Sequence, residues 1–162
     1  MLANDLRRTG RLLAGTAFAL LLGAGVAAAG ECPADKVVPS GTGQQAGATM
    51  PKDVTDTVLA SVDLGRERVG ANDRLFRLRQ LVIQPGGEVP WHSHGDRPAI
   101  IYVVSGTVTE YADTCAVPIV HNAGDVAPET HVTSHWWKNT GTTPAVLLSA
   151  DLLHTDGDPH VM

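Results

Sequence analysis

From Asp56 onward the chain is a succession of short β-favouring runs, each closed by Gly, Pro, Asn or Asp, and no stretch after residue 30 holds a helical period. That excludes helical bundles and alternating α/β folds and leaves the all-β architectures. Residues 57–64 alternate. Residues 75–83 alternate more strongly, with Leu75, Arg77, Arg79, Leu81 and Ile83 on one parity and Phe76, Leu78, Gln80 and Val82 on the other, and Pro85-Gly86-Gly87 predicts the end of that strand. Further strands are predicted at 89–93, 99–104, 107–111, 119–121, 125–127, 132–138 and 145–153, with Ser105-Gly106 as a tight turn. Regularly spaced short strands predict a sandwich or barrel.

The first residues belong to a different problem. Arg7, Arg8 and Arg11 precede an apolar run, 12–26, that ends in Ala27-Ala28-Ala29. A positive start, a short apolar core and a small-residue exit predict a cleaved signal peptide over 1–29, hence a periplasmic or secreted protein with no stable membrane anchor after cleavage; an uncleaved anchor is the alternative. Removing 1–29 takes the balance from 12 basic and 17 acidic residues to 9 and 16. A domain this acidic, without a basic stripe, is not a nucleic-acid binder. Residues 30–55 are rich in Gly, Pro, Ser, Thr and Gln and predict an extended N-terminal arm, with the barrel over 56–155 and a tail over 156–162. Cys32 and Cys115, the two cysteines, can pair as a disulfide in an oxidising compartment or remain two thiols.

The chemistry concentrates in two stretches. His92 and His94 are one residue apart in a β-favouring run, so both imidazoles leave the same face of a strand. His135 lies in a second such run, with Trp137 and Asn139 on its parity. Gly86, His92, His94 and Gly106, followed by Gly124, His135 and Asn139, stand at the spacings of the two motifs of the cupin superfamily, and the resemblance covers about 75–153. It implies a double-stranded β-helix, that is, an antiparallel β-barrel or jelly roll, holding one divalent transition metal (Fe, Mn, Ni, Cu or Zn) on His92, His94 and His135. The metal-binding Glu of the first motif falls at Ala99, and the Pro and Gly of the second fall at Thr130 and Val132, so the implied site has three histidines and no carboxylate. By the same analogy the partners are a small-molecule ligand or substrate and, as a homodimer, a second copy.

Around the triad, His131 reads as a fourth ligand, a residue backing the ligands, or a plain loop residue. Glu110 and Asp96 are the candidate replacement carboxylates, Glu110, Trp137 and Asn139 candidate pocket or backing residues, and Arg97 a surface charge or the partner of an anionic substrate. His121 is expected to be solvent-facing or structural, and His154 and His160 exposed. No catalytic acid or base is identifiable, and no phosphate loop, Cys-x-x-Cys or serine-nucleophile elbow is present. An Fe(II)-type dioxygenase acting on a small organic molecule and a non-catalytic periplasmic binding or sensing protein are both compatible with these residues; an acid or base placed beside the metal would separate them.

Overall fold

A computed structural model describes residues 30–156. The signal-peptide reading of 1–29, His160 and nearly all of the tail lie outside the described residues. Eight strands follow one another: β1 (Lys52–Asp63), β2 (Arg74–Ser93), β3 (Ala99–Ser105), β4 (Thr107–Ala112), β5 (Ile119–Asn122), β6 (Val126–Glu129), β7 (Ser134–Lys138) and β8 (Ala145–His154), with one turn of 3-10 helix, Leu64–Arg66, after β1. All pairings are antiparallel.

The predicted break at Pro85-Gly86-Gly87 is not a strand end. β2 runs unbroken through it and changes partners there: Leu75–Ile83 lie between β1 and β8, whereas Glu88, Val89, His92 and Ser93 pair with β7. Gly86 supplies the bend with φ +76°, a conformation cheap only for glycine. A Cβ on Gly87 would lie 2.8 Å from the carbonyl oxygens of Asp53 and Gln84. Asn139 fixes the bend from outside the strand. Its side-chain amide donates to the carbonyls of Ile83 and Thr143 at 2.8 Å each, and its backbone exchanges bonds with Gly86 and Gly87. Two walls result, β1-β2-β8-β3-β6 and β2-β7-β4-β5, closing into a nearly complete antiparallel barrel.

Leu81, Ile83, Val89, Val103, Val108, Ala127, Trp137, Ala145 and Leu147 fill the interior as one cluster. Further along the same inward parity β2 carries Arg79 and Arg77, and β8 carries Ser149 and Asp151, all buried. The barrel is therefore apolar towards one end and charged towards the other. The arm packs on the outside of the second wall. Cys32 and Cys115 form a disulfide, Val37 bridges Cys115, and Trp136 lies against Gly47 while stacking on Tyr111. Asp113 accepts from Ser40 and Gly41 of the arm and from the backbone of Ser134. β1 begins at Lys52, ahead of the alternation read from Thr57.

Candidate metal centre

His92 and His94 project from the end of β2 into the charged end of the barrel, and β7 brings His135 opposite them, with His92 and His135 in register. Their Nε2 atoms converge at 3.0, 3.0 and 3.2 Å. The other ring nitrogens settle what these approaches are. His92 Nδ1–H donates to the carbonyl of Pro90 at 2.9 Å, His94 Nδ1–H to that of Arg97 at 2.9 Å, and His135 Nδ1–H to Glu110 Oε1 at 2.7 Å. With Nδ1 carrying the proton on each neutral ring, all three Nε2 atoms present lone pairs to one point. Three lone pairs so close repel unless a cation or proton lies between them. Imidazole nitrogens about 2.1 Å from one ion stand roughly 3 Å apart on adjacent octahedral corners and roughly 3.4 Å apart on a tetrahedron. The observed spacing suits three ligands on one face of an ion, leaving the opposite positions open, and the donor set fits Fe, Mn, Ni, Cu or Zn.

The second tier of contacts is unusually acidic. Glu110, on β4, accepts from His135 with one oxygen and from His121 Nε2 with the other, at 2.7 and 2.8 Å. Burial pushes its pKa up, but the bonds from His121 and His135 outweigh that and hold it down to about 2. Glu129 is buried on β6, 3.6 Å from His135 Nδ1, and burial raises its pKa to about 7. Burial alone would depress His135, but Glu129 and Glu110 together raise it. His92 and His94 fall to about 2 and about 3, first because they are buried and then through the neighbouring His135. Both rings are neutral at any physiological pH. Trp137 rests its indole N–H on the His135 ring, 3.1 Å from Nδ1 at 84° between planes, and stacks on His121 with its other side.

The three Nε2 atoms face a small cavity of about 30 Å³. Leu81, Val89, Ile101, Leu147 and Trp137 form its apolar wall and Arg79, Arg97 and Ser149 its polar wall. Arg97, read from the sequence as either a surface charge or an anion partner, is only 2% exposed. Asp151 gathers the guanidiniums: Arg77 binds it with two nitrogens at 2.9 and 2.7 Å, Arg79 lies at 3.2 Å and Arg97 at 3.6 Å.

Several expected roles need correction. Asp96 is exposed and pairs with Arg74 and His154, so it is not a replacement carboxylate. His131 is exposed in the loop before β7 and lines a different, open depression with Arg74, Asp96 and Glu129. Asn139 braces the backbone and does not line the cavity. His154 is partly buried against Asp96, Asp73 and Arg74. His121 is fully buried behind Glu110. Glu110 is not a replacement carboxylate but lies behind His135 on its Nδ1 side, in the backing position that was its other reading. Sequence reading missed Glu129, Arg79, Ser149 and Asp151. Glu129 is the register partner of Ala99 across β3 and β6, and a residue as small as alanine at the motif's Glu position leaves room for a neighbour's carboxylate.

A family model described as Cupin domain matches residues 79–151, the span that contains both histidine strands and the buried arginine cluster. Residues 79–151 form a domain of the cupin superfamily. Among solved structures, a predicted oxalate decarboxylase from Thermotoga maritima aligns with TM-score 0.52 at 23% identity, over 72% of this chain and 97% of that one. KdgF from Halomonas sp. aligns with TM-score 0.50 at 16% identity, over 64% and 83%. The cupin domain of Schizosaccharomyces pombe Cnp3 aligns with TM-score 0.49 at 13% identity, over 66% of each chain. At these identities the likeness is one of fold. Comparison with curated proteins gives no match. Cupin membership accounts for the double-stranded β-helix and for histidines meeting inside it; it leaves the reaction open.

Proposed function

We propose that this cupin is an exported metal protein in which His92, His94 and His135 hold a single divalent ion, with Fe(II) the leading candidate, and that it acts as a dioxygenase on a small organic molecule. The observation that carries the reading is the committed tautomer of all three imidazoles, which turns three lone pairs towards one point beside an open cavity. A redox-active ion bound there would supply O2 chemistry. The protein's own part is to keep His92 and His94 neutral, to orient the three rings through Pro90, Arg97 and Glu110, and to shield the open coordination positions with Trp137 and the aliphatic wall. The guanidiniums of Arg79 and Arg97 facing that wall suit a small organic acid with an apolar body. The disulfide supports an oxidising compartment, consistent with export.

A second reading, a non-catalytic binding or sensing cupin, is favoured by one specific observation: among the described residues no carboxylate lines the cavity. General acid–base chemistry has no group to perform it on that side, which leaves direct oxygen chemistry or plain binding. Elemental mass spectrometry on untagged protein, beside His92→Ala and His135→Ala, tests the ion. Near-stoichiometric metal in the wild type and loss in both variants is expected, and a wild type that takes up none of Fe(II), Mn(II), Ni(II), Cu(II) or Zn(II) sinks the metal reading. Oxygen uptake by the Fe(II)-loaded protein across a panel of small organic acids then separates catalyst from binder.

A further inference from the structure

His121 is fully buried, and its two ring nitrogens stand in different surroundings. Nε2–H donates to Glu110 Oε2 at 2.8 Å. On the neutral ring Nδ1 then carries the lone pair, and that atom is buried with no hydrogen-bond partner among the described residues. A buried acceptor without a donor is costly and rare. What lies against it is the first residue of the arm. A Cβ built on Gly30 would stand 3.2 Å from His121 Nδ1, 2.9 Å from Asp125 Cβ and 3.2 Å from Asp125 Cγ. The Gly30 Cα is one bond away from that point, so a nitrogen attached to it, at about 1.5 Å, can reach both groups. Asp125 closes the turn between β5 and β6, where its Oδ2 accepts from Asn122 N at 2.7 Å, which leaves Oδ1 for a further donor. Two residues along the chain, Cys32 is tied to Cys115, so a covalent anchor keeps Gly30 beside this pair.

The geometry points to a docking site for the chain's own processed N-terminus: once residues 1–29 are removed, the α-ammonium of Gly30 sits between the carboxylate of Asp125 and Nδ1 of His121. This rests on the export reading above, with cleavage after Ala29. An ammonium brings three N–H donors and one positive charge. It supplies the donor that His121 Nδ1 lacks and the opposite charge for Asp125 in a single group. Hydrogen bonds then run unbroken to the metal centre. The ammonium donates to His121 Nδ1, His121 Nε2–H to Glu110 Oε2, and His135 Nδ1–H to Glu110 Oε1, with His135 Nε2 turned to the ion position. By fixing the tautomer of His121, the new terminus becomes a positioning group for Glu110 and, through it, for His135. A chain starting one residue earlier or later carries its amine elsewhere, and any side chain at position 30 would meet Asp125 Cβ. A buried water is the rival donor for Nδ1, and the two differ by experiment.

Intact mass of the exported protein comes first. A start at Gly30 is expected; any other start, or an uncleaved chain, overturns the proposal together with the cleavage reading on which it rests. The remaining measurements use the chain beginning at Gly30 and fail independently of that reading. Acylation of the α-amine by an active ester, followed by mass spectrometry of the N-terminal peptide, should be about a hundredfold slower in the folded protein than in urea with the disulfide intact, as two charge-assisted bonds imply. Equal rates overturn the docking. Asp125→Asn should restore most of the reactivity, with circular dichroism confirming the fold; a folded Asp125→Asn as protected as the wild type would mean that burial alone shields the amine, and overturns the ion pair. Nitrogen NMR of His121 in EDTA reads the link towards the centre. The Nδ1 resonance should shift between the chain beginning at Gly30 and one that retains Ala29, whereas an identical resonance in both assigns the donor to water and overturns the positioning role.

Discussion

Glu110 holds the most informative contacts of any single residue in the centre. It is an ionised carboxylate inside the barrel, bonded to two imidazoles, and it fixes which nitrogen of His135 remains to bind an ion. Glu110→Gln keeps the shape but removes the charge and one of the two acceptor sites. Affinity for Zn(II) or Co(II), measured by competition with a chelator, is expected to fall about 10–100-fold; an unchanged affinity would reduce Glu110 to a packing residue. That His92 and His94 share a face was legible in the sequence, because period-two geometry puts them there whatever the rest of the chain does. Glu129, Arg79 and Asp151 were not, because each is brought to the centre by a register between strands distant in sequence, and alternation within one strand says nothing about which residue lies across the sheet.

The strands were mostly legible as elements, from parity and from their Gly, Pro, Asn and Asp boundaries. The failure at Pro85-Gly86-Gly87 has a physical cause. Pro-Gly-Gly is a turn signal in isolation, but here the same φ > 0 bends a strand from one wall into the other, with Asn139 supplying bonds that a hairpin would have supplied itself. The segment 30–51 contributes no named strand, yet it is tethered, since the disulfide closes a loop of sequence separation 83. Cys32→Ser with Cys115→Ser should therefore lower unfolding free energy by about 4 kcal/mol, read by urea denaturation, and should release the arm to protease. Metal content should be retained, because His92 lies on β2, His94 directly after it and His135 on β7; metal loss in the folded double variant would show that the arm shapes the centre.

For the whole molecule, the titrating groups set a stability optimum that can be placed without knowing the ion. Between pH 4.5 and 6.5 the unfolded metal-free chain protonates His92 and His94, which the folded protein keeps neutral, whereas the folded protein holds a proton on Glu129 that the unfolded chain has lost. Unfolding then takes up a net proton, and stability rises with pH by on the order of 1 kcal/mol per pH unit. Above 6.5 the sign reverses, since folded Glu129, to about pH 7, and His135, with its raised pKa, retain protons that the unfolded chain gives up. Thermal unfolding in EDTA should be latest near pH 6.5. Glu129→Gln should flatten the alkaline side, and a bound ion, which displaces the His135 proton, should move the optimum upward. The continuity of β2 carries a further consequence. One strand is shared by both walls, with Arg77 and Arg79 near its start, His92 near its end and His94 just past it, so neither wall can open and leave the other intact. Amide hydrogens in the two walls should exchange through one common opening rather than as separate cooperative units. In such a protein the pocket gains no local flexibility to admit a ligand, and what enters must fit the shape already there.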